Sequence, residues 1–257
     1  MRRALCEKLP EKVGQMVELP ENEVRHLVSV LRMKPDDEFE LLDGSGFRAR
    51  AKITYRGKTT YGELVGDRET DLKLMALPIH LTMAMIKGDA MEWVIEKATE
   101  LGVKSLTPIE TEFTVVKTHK KGNDVFQERF QKISDQALKQ CGRIERMEIE
   151  SPISFEEALL NKNHLIWLDE SLAMTSPASS HLTHVLAQNS GEHLPYQLVV
   201  GPEGGFSSTE KNRLLQLTGS EKQAITSVHL GSLILRAETA ALLGVSLLVG
   251  DHYGRKN

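Results

Sequence analysis

The feature that most narrows the possible folds is a change of character at residue 200. Gln197-Leu198-Val199-Val200 reads as an apolar strand, and it stops at Gly201-Pro202-Glu203-Gly204-Gly205-Phe206, which no regular element absorbs. Ser207 and Glu210 then have the spacing of a capping box, so a helix starts there. A strand, a glycine-rich turn and a capped helix in succession point to an α/β domain with a parallel sheet. In such sheets ligands gather at the carboxyl ends of strands, and glycines let backbone approach a ligand closely. A tight turn that binds nothing would have the same sequence, so this loop alone assigns no site.

The same grammar recurs along the chain. Ile79, Leu81, Met83 and Met85 alternate as a strand. Asp89 is placed to cap a helix whose inner stripe is Met91, Val94, Ile95, Ala98 and Leu101, with Gly102 as its stop. A strand at 103–108 follows. A long amphipathic helix then carries Phe126, Phe130, Ile133, Ala137 and Cys141 on one face. Strands are expected at 164–168 and 196–200, and helices from Ser208 and from about Arg236. A second loop, Leu230-Gly231-Ser232-Leu233-Ile234-Leu235-Arg236-Ala237-Glu238-Thr239-Ala240, leaves a strand at 224–228 and enters the last helix. Glu238 suits the positive end of that helix, although Arg236 and Glu238 read equally well as capping and surface charges.

The first 75 residues differ. Residues 21–33 suggest a short helix with Val24, Leu27, Val28 and Leu31 inward. Asp43-Gly44 marks a hairpin turn, after which Phe47, Ala49, Ala51 and Ile53 alternate with Arg48, Arg50 and Lys52. This composition suits a small β-barrel at 1–74, with the α/β domain at 75–257. Residues 174–194 read as an irregular connection, and there is no internal repeat.

The longest apolar run, 240–249, is too short to span a bilayer and contains Gly244 and Ser246. The charged start lacks an apolar signal core, so no membrane association and a cytoplasmic location are expected. The two cysteines, Cys6 and Cys141, form no CxxC pair and are expected as free thiols. A net charge of −4 does not advertise a nucleic-acid partner, but charge distribution matters more. Arg48, Arg50 and Lys52, with Arg56 and Lys58 nearby, form one basic strip, and Lys117-Thr118-His119-Lys120-Lys121 forms another. Each is a phosphate-tracking surface or simply a solvated face.

Five ordered blocks resemble the RsmE-type 16S rRNA (uracil-N3)-methyltransferases of the SPOUT superfamily. Two are the loops at 200–207 and 230–240. The third is Lys87-Gly88-Asp89-Ala90-Met91-Glu92-Trp93 with the residues 96–103, and the fourth is Gln140-Cys141-Gly142-Arg143. The fifth is His26-Leu27 with Val30-Leu31-Arg32-Met33 and Leu42-Asp43-Gly44. The resemblance implies a PUA-like RNA-binding barrel, then a SPOUT domain with a deep trefoil knot, working as a homodimer on 16S rRNA of the small ribosomal subunit. It implies that S-adenosylmethionine is held by Leu168, Asp169, Gly201, Pro202, Glu203, Gly204, Gly205, Leu230, Gly231, Leu235, Arg236 and Thr239. RNA contacts would come from Arg48, Arg50 and Lys52, and from Arg32, Lys87 and Arg143. Two positions depart from the pattern: Leu233 stands where an arginine is usual, and Lys139 where an acid is usual.

For methylation at uracil N3 the target base must leave any pairing, since N3 lies in the Watson–Crick edge. The catalytic candidates are Arg236, to stabilise the uracil anion, and Glu203 or Glu238, to accept the proton or merely to cap loops. No metal is required. The alternatives are a SPOUT ribose 2′-O-methyltransferase and a non-catalytic, RNA-binding ribosome assembly factor, which Leu233 keeps in view. Other signals are set aside. Asp43-Gly44-Ser45-Gly46 leads into a strand, so it is no Rossmann-type loop. His181 and His184 lack a third ligand nearby. Met83, Met85, Met91, Trp93 and Trp167 read as packing, and Cys141 as buried and inert.

Overall fold

A computed structural model describes residues 2–116, 123–160, 164–172, 178–188, 195–218 and 225–255. The basic run 117–121 and part of the connection at 174–194 lie outside the described residues. The chain divides into two compact units: Met1–Ala76 with Asp135–Arg146, and Leu77–Ser134 with Met147–Asn257.

In the first unit, β1 (Arg3–Leu5), β2 (Met16–Glu18), β3 (Glu38–Leu42), β4 (Arg48–Arg56) and β5 (Thr59–Leu64) form one sheet in the order β1-β3-β4-β5-β2. Only the β1–β3 pair is parallel. The sheet curls around Leu27, Phe39, Leu41, Ile53 and Leu64, and Ala49, Ala51 and Ile53 of β4 all point into that core. The hairpin turn before β4 is tied by the Asp43 carboxylate, which accepts from the Ser45 and Phe47 amides at 2.8 and 3.3 Å. The helix expected at 21–33 is split. α1 (Glu21–Val24) continues as a π-helical turn over Arg25–Val30, and the Leu31 amide bonds the His26 carbonyl at 2.9 Å. Arg32 then takes a left-handed φ of 53°, which is uncommon for a residue other than glycine.

The second unit contains β6 (Leu77–Ala84), α2 (Gly88–Glu100) and β7 (Val103–Glu110). Next comes α3 (Asn123–Cys141), whose end counts with the first unit. Then follow β8 (Glu148–Ile149), β9 (Ile153–Ser154), α4 (Phe155–Ala158), β10 (His164–Leu168) and α5 (Leu182–Gln188). The remaining elements are β11 (Tyr196–Val200), α6 (Ser208–Leu217), β12 (Ile225–Val228) and α7 (Ala237–Gly254). Every strand pair is parallel, in the order β12-β10-β11-β6-β7-β8, with β9 also on β7. The chain thus builds outward from β6 through β7, then resumes on the other side of β6. That reversal is a topological switch point.

Alternate residues of the strands feed two cores. Met83, Ile166, Leu198 and Val200 meet Val94 of α2 and Ala241, Val245 and Leu248 of α7. Trp167 and Val199 face the other way, toward Phe155, Phe206 and Leu214. Four readings of the sequence need correction. The stretch 174–194 is not all irregular, since α5 (Leu182–Gln188) forms within it and buries Leu182 and Leu186. Lys87, not Asp89, is the N-cap of α2; Asp89 sits in the first turn, where its charge favours the helix dipole. Trp93 is 46% exposed, because it falls off the stripe set by Met91, Val94, Ile95 and Ala98. Cys141 is exposed, because it is the last residue of α3 and the chain turns away at Gly142, φ 85°. Cys6 is the buried thiol, its pKa pushed up to about 12 by burial and by Asp43. Among the described residues, no helix is long and apolar enough to cross a membrane.

Candidate functional site

The three adjacent strands β12, β10 and β11 end side by side, and their loops line one cleft of about 640 Å³. Leu168 ends β10 and Asp169 and Glu170 follow it; Val200 ends β11 and residues 201–205 follow it; Val228 ends β12, and residues 229–231 and 233–236 follow it; Ala237, Glu238 and Ala240 of α7 and Ala90 of α2 complete the wall. The cleft is therefore built at the carboxyl edge of the sheet, where parallel strands leave backbone groups unpaired and available.

Each loop is fixed by an identifiable interaction. After β11, the Gly205 amide closes a turn on the Pro202 carbonyl at 2.9 Å, and Gly205 takes φ 70°, open to glycine without strain. A Cβ there would stand 2.8 Å from Glu170 Oε1, so the glycine also lets a carboxylate lie against the loop. Phe206, 4% exposed, covers Gly201 from below and meets Trp167 and Phe155 at centroid distances of 6.3 and 5.6 Å. The capping box expected at α6 is formed: Ser207 Oγ accepts from the Glu210 amide at 3.3 Å, and Glu210 Oε2 accepts from the Ser207 amide at 2.8 Å. After β10, Asp169 Oδ1 accepts from the Ser171 amide and hydroxyl at 3.0 and 2.7 Å, with Lys211 Nζ 3.8 Å away. Lys211 itself reaches Glu170 at 2.8 Å. After β12, the Gly231 amide donates to His229 Nδ1 at 3.2 Å.

Every expected cofactor residue except Thr239 lines this cleft. Thr239 lies in the first turn of α7. Arg236 is the N-cap of α7 with 86% of its side chain exposed, and Glu238, 18% exposed, sits 4.0 Å from it. Glu203 is exposed on the glycine-rich turn. Leu233, the departure from the usual arginine, lines the cleft with Ile234, and both are largely exposed. The sequence reading missed Glu170, His229 and Ala90. Glu170 adjoins Asp169 in sequence, but its place against Gly205 depends on a long-range approach. His181 and His184 have local partners, Thr183 and Gln188. Among the described residues, no group of three or more His, Cys, Asp or Glu side chains is arranged to hold a metal ion.

The expected RNA contacts are scattered. Arg32 and Lys87 are exposed. The β4 strip is a lattice of opposite charges: Arg48 bonds Glu40 at 3.2 Å, Arg50 faces Glu38 at 3.5 Å, and Lys52 faces Asp36 at 3.1 Å and Glu63 at 3.7 Å. A phosphate would compete there with carboxylates already in place. Arg143 is 6% exposed, and burial lowers its pKa, so it does not present its charge to a surface ligand. Lys139, in place of the usual acid, pairs with buried Glu23 at 2.6 Å.

A family model described as an RNA methyltransferase domain matches residues 73–249, and one described as an RNA methyltransferase PUA domain matches residues 19–61. Relatives named ribosomal RNA small subunit methyltransferase E include one from Bacillus subtilis, 29% identical, covering 88% of this chain and 86% of its own. One from Aquifex aeolicus is 28% identical, covering 93% of this chain and 96% of its own. Among solved structures, a ribosomal RNA small subunit methyltransferase E from Neisseria gonorrhoeae bound to S-adenosyl methionine superposes with a TM-score of 0.77. It has 28% identity and 96% of each chain covered.

Proposed function

The chain belongs to the RNA methyltransferase family, and on that premise we propose that it transfers a methyl group from S-adenosylmethionine to N3 of a uridine in 16S rRNA of the small ribosomal subunit. The observation that carries this reading is the gathering of three loops, from distant parts of the sequence, into one cleft at the ends of β10, β11 and β12.

The cleft suits the cofactor. Its volume of about 640 Å³ is within the range for a small-molecule site. Leu168, Val200, Leu230 and Leu235 offer apolar walls, the glycine turn offers a close backbone approach, and Glu170 offers a carboxylate for a hydroxyl or amine. When bound, S-adenosylmethionine supplies an electrophilic methyl group. The protein's task is then to hold the acceptor nitrogen in line with it. Arg236, exposed at the rim of the cleft, stabilises negative charge on the uracil. Glu238 or Glu203 takes the N3 proton; Glu238 is the more enclosed of the two and the closer to Arg236.

We assign the first 74 residues to a PUA-like domain that engages RNA, and residues 75–257 to the transfer chemistry, with further RNA contacts from the latter at positions such as Lys87. Exposed Arg32 and Lys87 are the leading phosphate contacts, and Arg50, with 60% of its side chain exposed, is the most available member of the β4 strip. The knotted passage is read as β12, its loop and α7, and the working form as a cytoplasmic homodimer. The decisive experiment is transfer of labelled methyl to small subunits lacking the modification, followed by nucleoside analysis. N3-methyluridine is the expected product. A ribose-methylated product would replace the assignment with 2′-O chemistry, and cofactor binding without transfer would favour the non-catalytic assembly factor.

A further inference from the structure

Phe113 is an exposed aromatic ring on a rigid support, and the function does not yet use it. It lies just beyond β7, in the loop before α3, with 47% of its surface exposed. Its turn is held from both sides. The Thr111 amide donates to Thr114 Oγ1 at 2.9 Å, the two hydroxyls meet at 2.8 Å, and the Thr114 amide bonds the Thr111 carbonyl at 3.2 Å. Both threonines are buried, 4% and 3% exposed.

The turn is also stapled to the glycine-rich loop. Glu210, 8% exposed, uses one carboxylate oxygen for the Ser207 amide that starts α6 and the other for the Glu112 amide, each at 2.8 Å. The residue before Phe113 is thus tied, through Glu210, to Ser207, which directly follows the 201–206 loop. The two are also neighbours: a Cβ added to Gly204, which lines the cleft, would stand 3.4 Å from Phe113 Cβ and 3.7 Å from its ring.

A large apolar ring held this firmly, half in solvent and next to the cleft wall, is a platform for a flat apolar face. Nucleobases present such a face whatever their hydrogen-bonding edge. We propose that Phe113 is a positioning residue that stacks a nucleobase of the RNA substrate, the acceptor or its neighbour, at the edge of the Gly204 wall. This rests on the assignment of an RNA-base methyltransferase.

The test compares Phe113→Ala, Phe113→Leu and Phe113→Tyr for KM and kcat on small subunits, for S-adenosylmethionine Kd, and for affinity toward a short uridine-rich single-stranded RNA. Stacking predicts that Ala and Leu weaken RNA affinity by roughly ten- to a hundredfold while Tyr preserves it. It also predicts that Kd for the cofactor stays within about twofold, because only the neighbouring loop is touched. Wild-type affinity in the leucine variant overturns the proposal, since leucine keeps the apolar contact and loses only the ring. A shift in sedimentation of any variant also overturns it, by showing that the ring serves a second copy of the chain. If wild-type protein binds the uridine-rich RNA through Phe113 yet methylates no subunit, the proposed reaction fails and the stacking role stands.

Discussion

Gly205→Ala probes the coupling between the glycine turn and the Glu170 carboxylate. Two costs can be worked from the geometry. Gly205 stands at φ 70°, and an L-residue in the left-handed region costs about 1–2 kcal/mol. The added Cβ would lie 2.8 Å from Glu170 Oε1, so the carboxylate must swing away and release Lys211, its partner at 2.8 Å. That pair is substantially exposed, at 43% and 25%, so its loss adds no more than about 1 kcal/mol. The total is about 2 kcal/mol, concentrated in one wall of the cleft. If the turn relaxes to avoid it, cofactor affinity falls by roughly thirtyfold, since about 1.4 kcal/mol corresponds to a decade. If the turn holds, the cost appears as lost stability. Gly204→Ala is the matched control: no left-handed φ is involved, and the new methyl would meet Phe113 Cβ at an ordinary 3.4 Å. Calorimetric titration with S-adenosylmethionine and thermal melting of both variants decide the matter. A Gly205→Ala protein that binds and melts like the wild type would refute the reasoning, as would a larger loss in Gly204→Ala.

Three further outcomes are expected. Burial holds His80 and His164 below the usual 6.5, so the unfolded chain binds protons that the folded chain refuses. Stability should therefore be intact above about pH 6.5 and decline as pH falls below it, and urea titrations of a His80→Gln, His164→Gln double variant should show a flatter slope. A thiol reagent at neutral pH should label Cys141 in the native protein and reach Cys6 only on unfolding; early labelling of Cys6 would contradict its 1% exposure. Leu248→Ala, which opens a fully buried site between α7 and the sheet, should cost about 2–5 kcal/mol by denaturant titration.

The cleft loops are legible in the sequence because each combines local signals: an apolar run, glycines and a capped helix. The Ser207–Glu210 box needs only residues close in the chain, and it forms as read. What escapes is whatever depends on a neighbour brought from afar. The strip Arg48, Arg50 and Lys52 reads correctly as one face of β4, but its neutralisation does not. The register sets Glu38 opposite Lys52 and Glu40 opposite Arg50, and no periodicity in β4 reveals that. Trp93 and Phe113 show a second limit. Apolar residues are usually core, and only their angular position on α2, or the buried threonine turn, reveals that these face solvent. The lateral order of strands is also silent, since β10 lies between β11 and β12 through contacts such as Leu165 with Gln197 and with Ile225.

That lateral order has a consequence for how the protein comes to exist. β10 is flanked by two strands that are both made after it, so a nascent chain halted before residue 225 carries two of the cleft's loops and lacks the third. The cofactor site is complete only once β12 and the loop after it are in place. Pairings of this span are slow to close, and the unpaired edge of β10 stays exposed until β12 arrives. Ligand can then stabilise only the finished fold, which makes cofactor supply a late checkpoint on maturation rather than an aid to it.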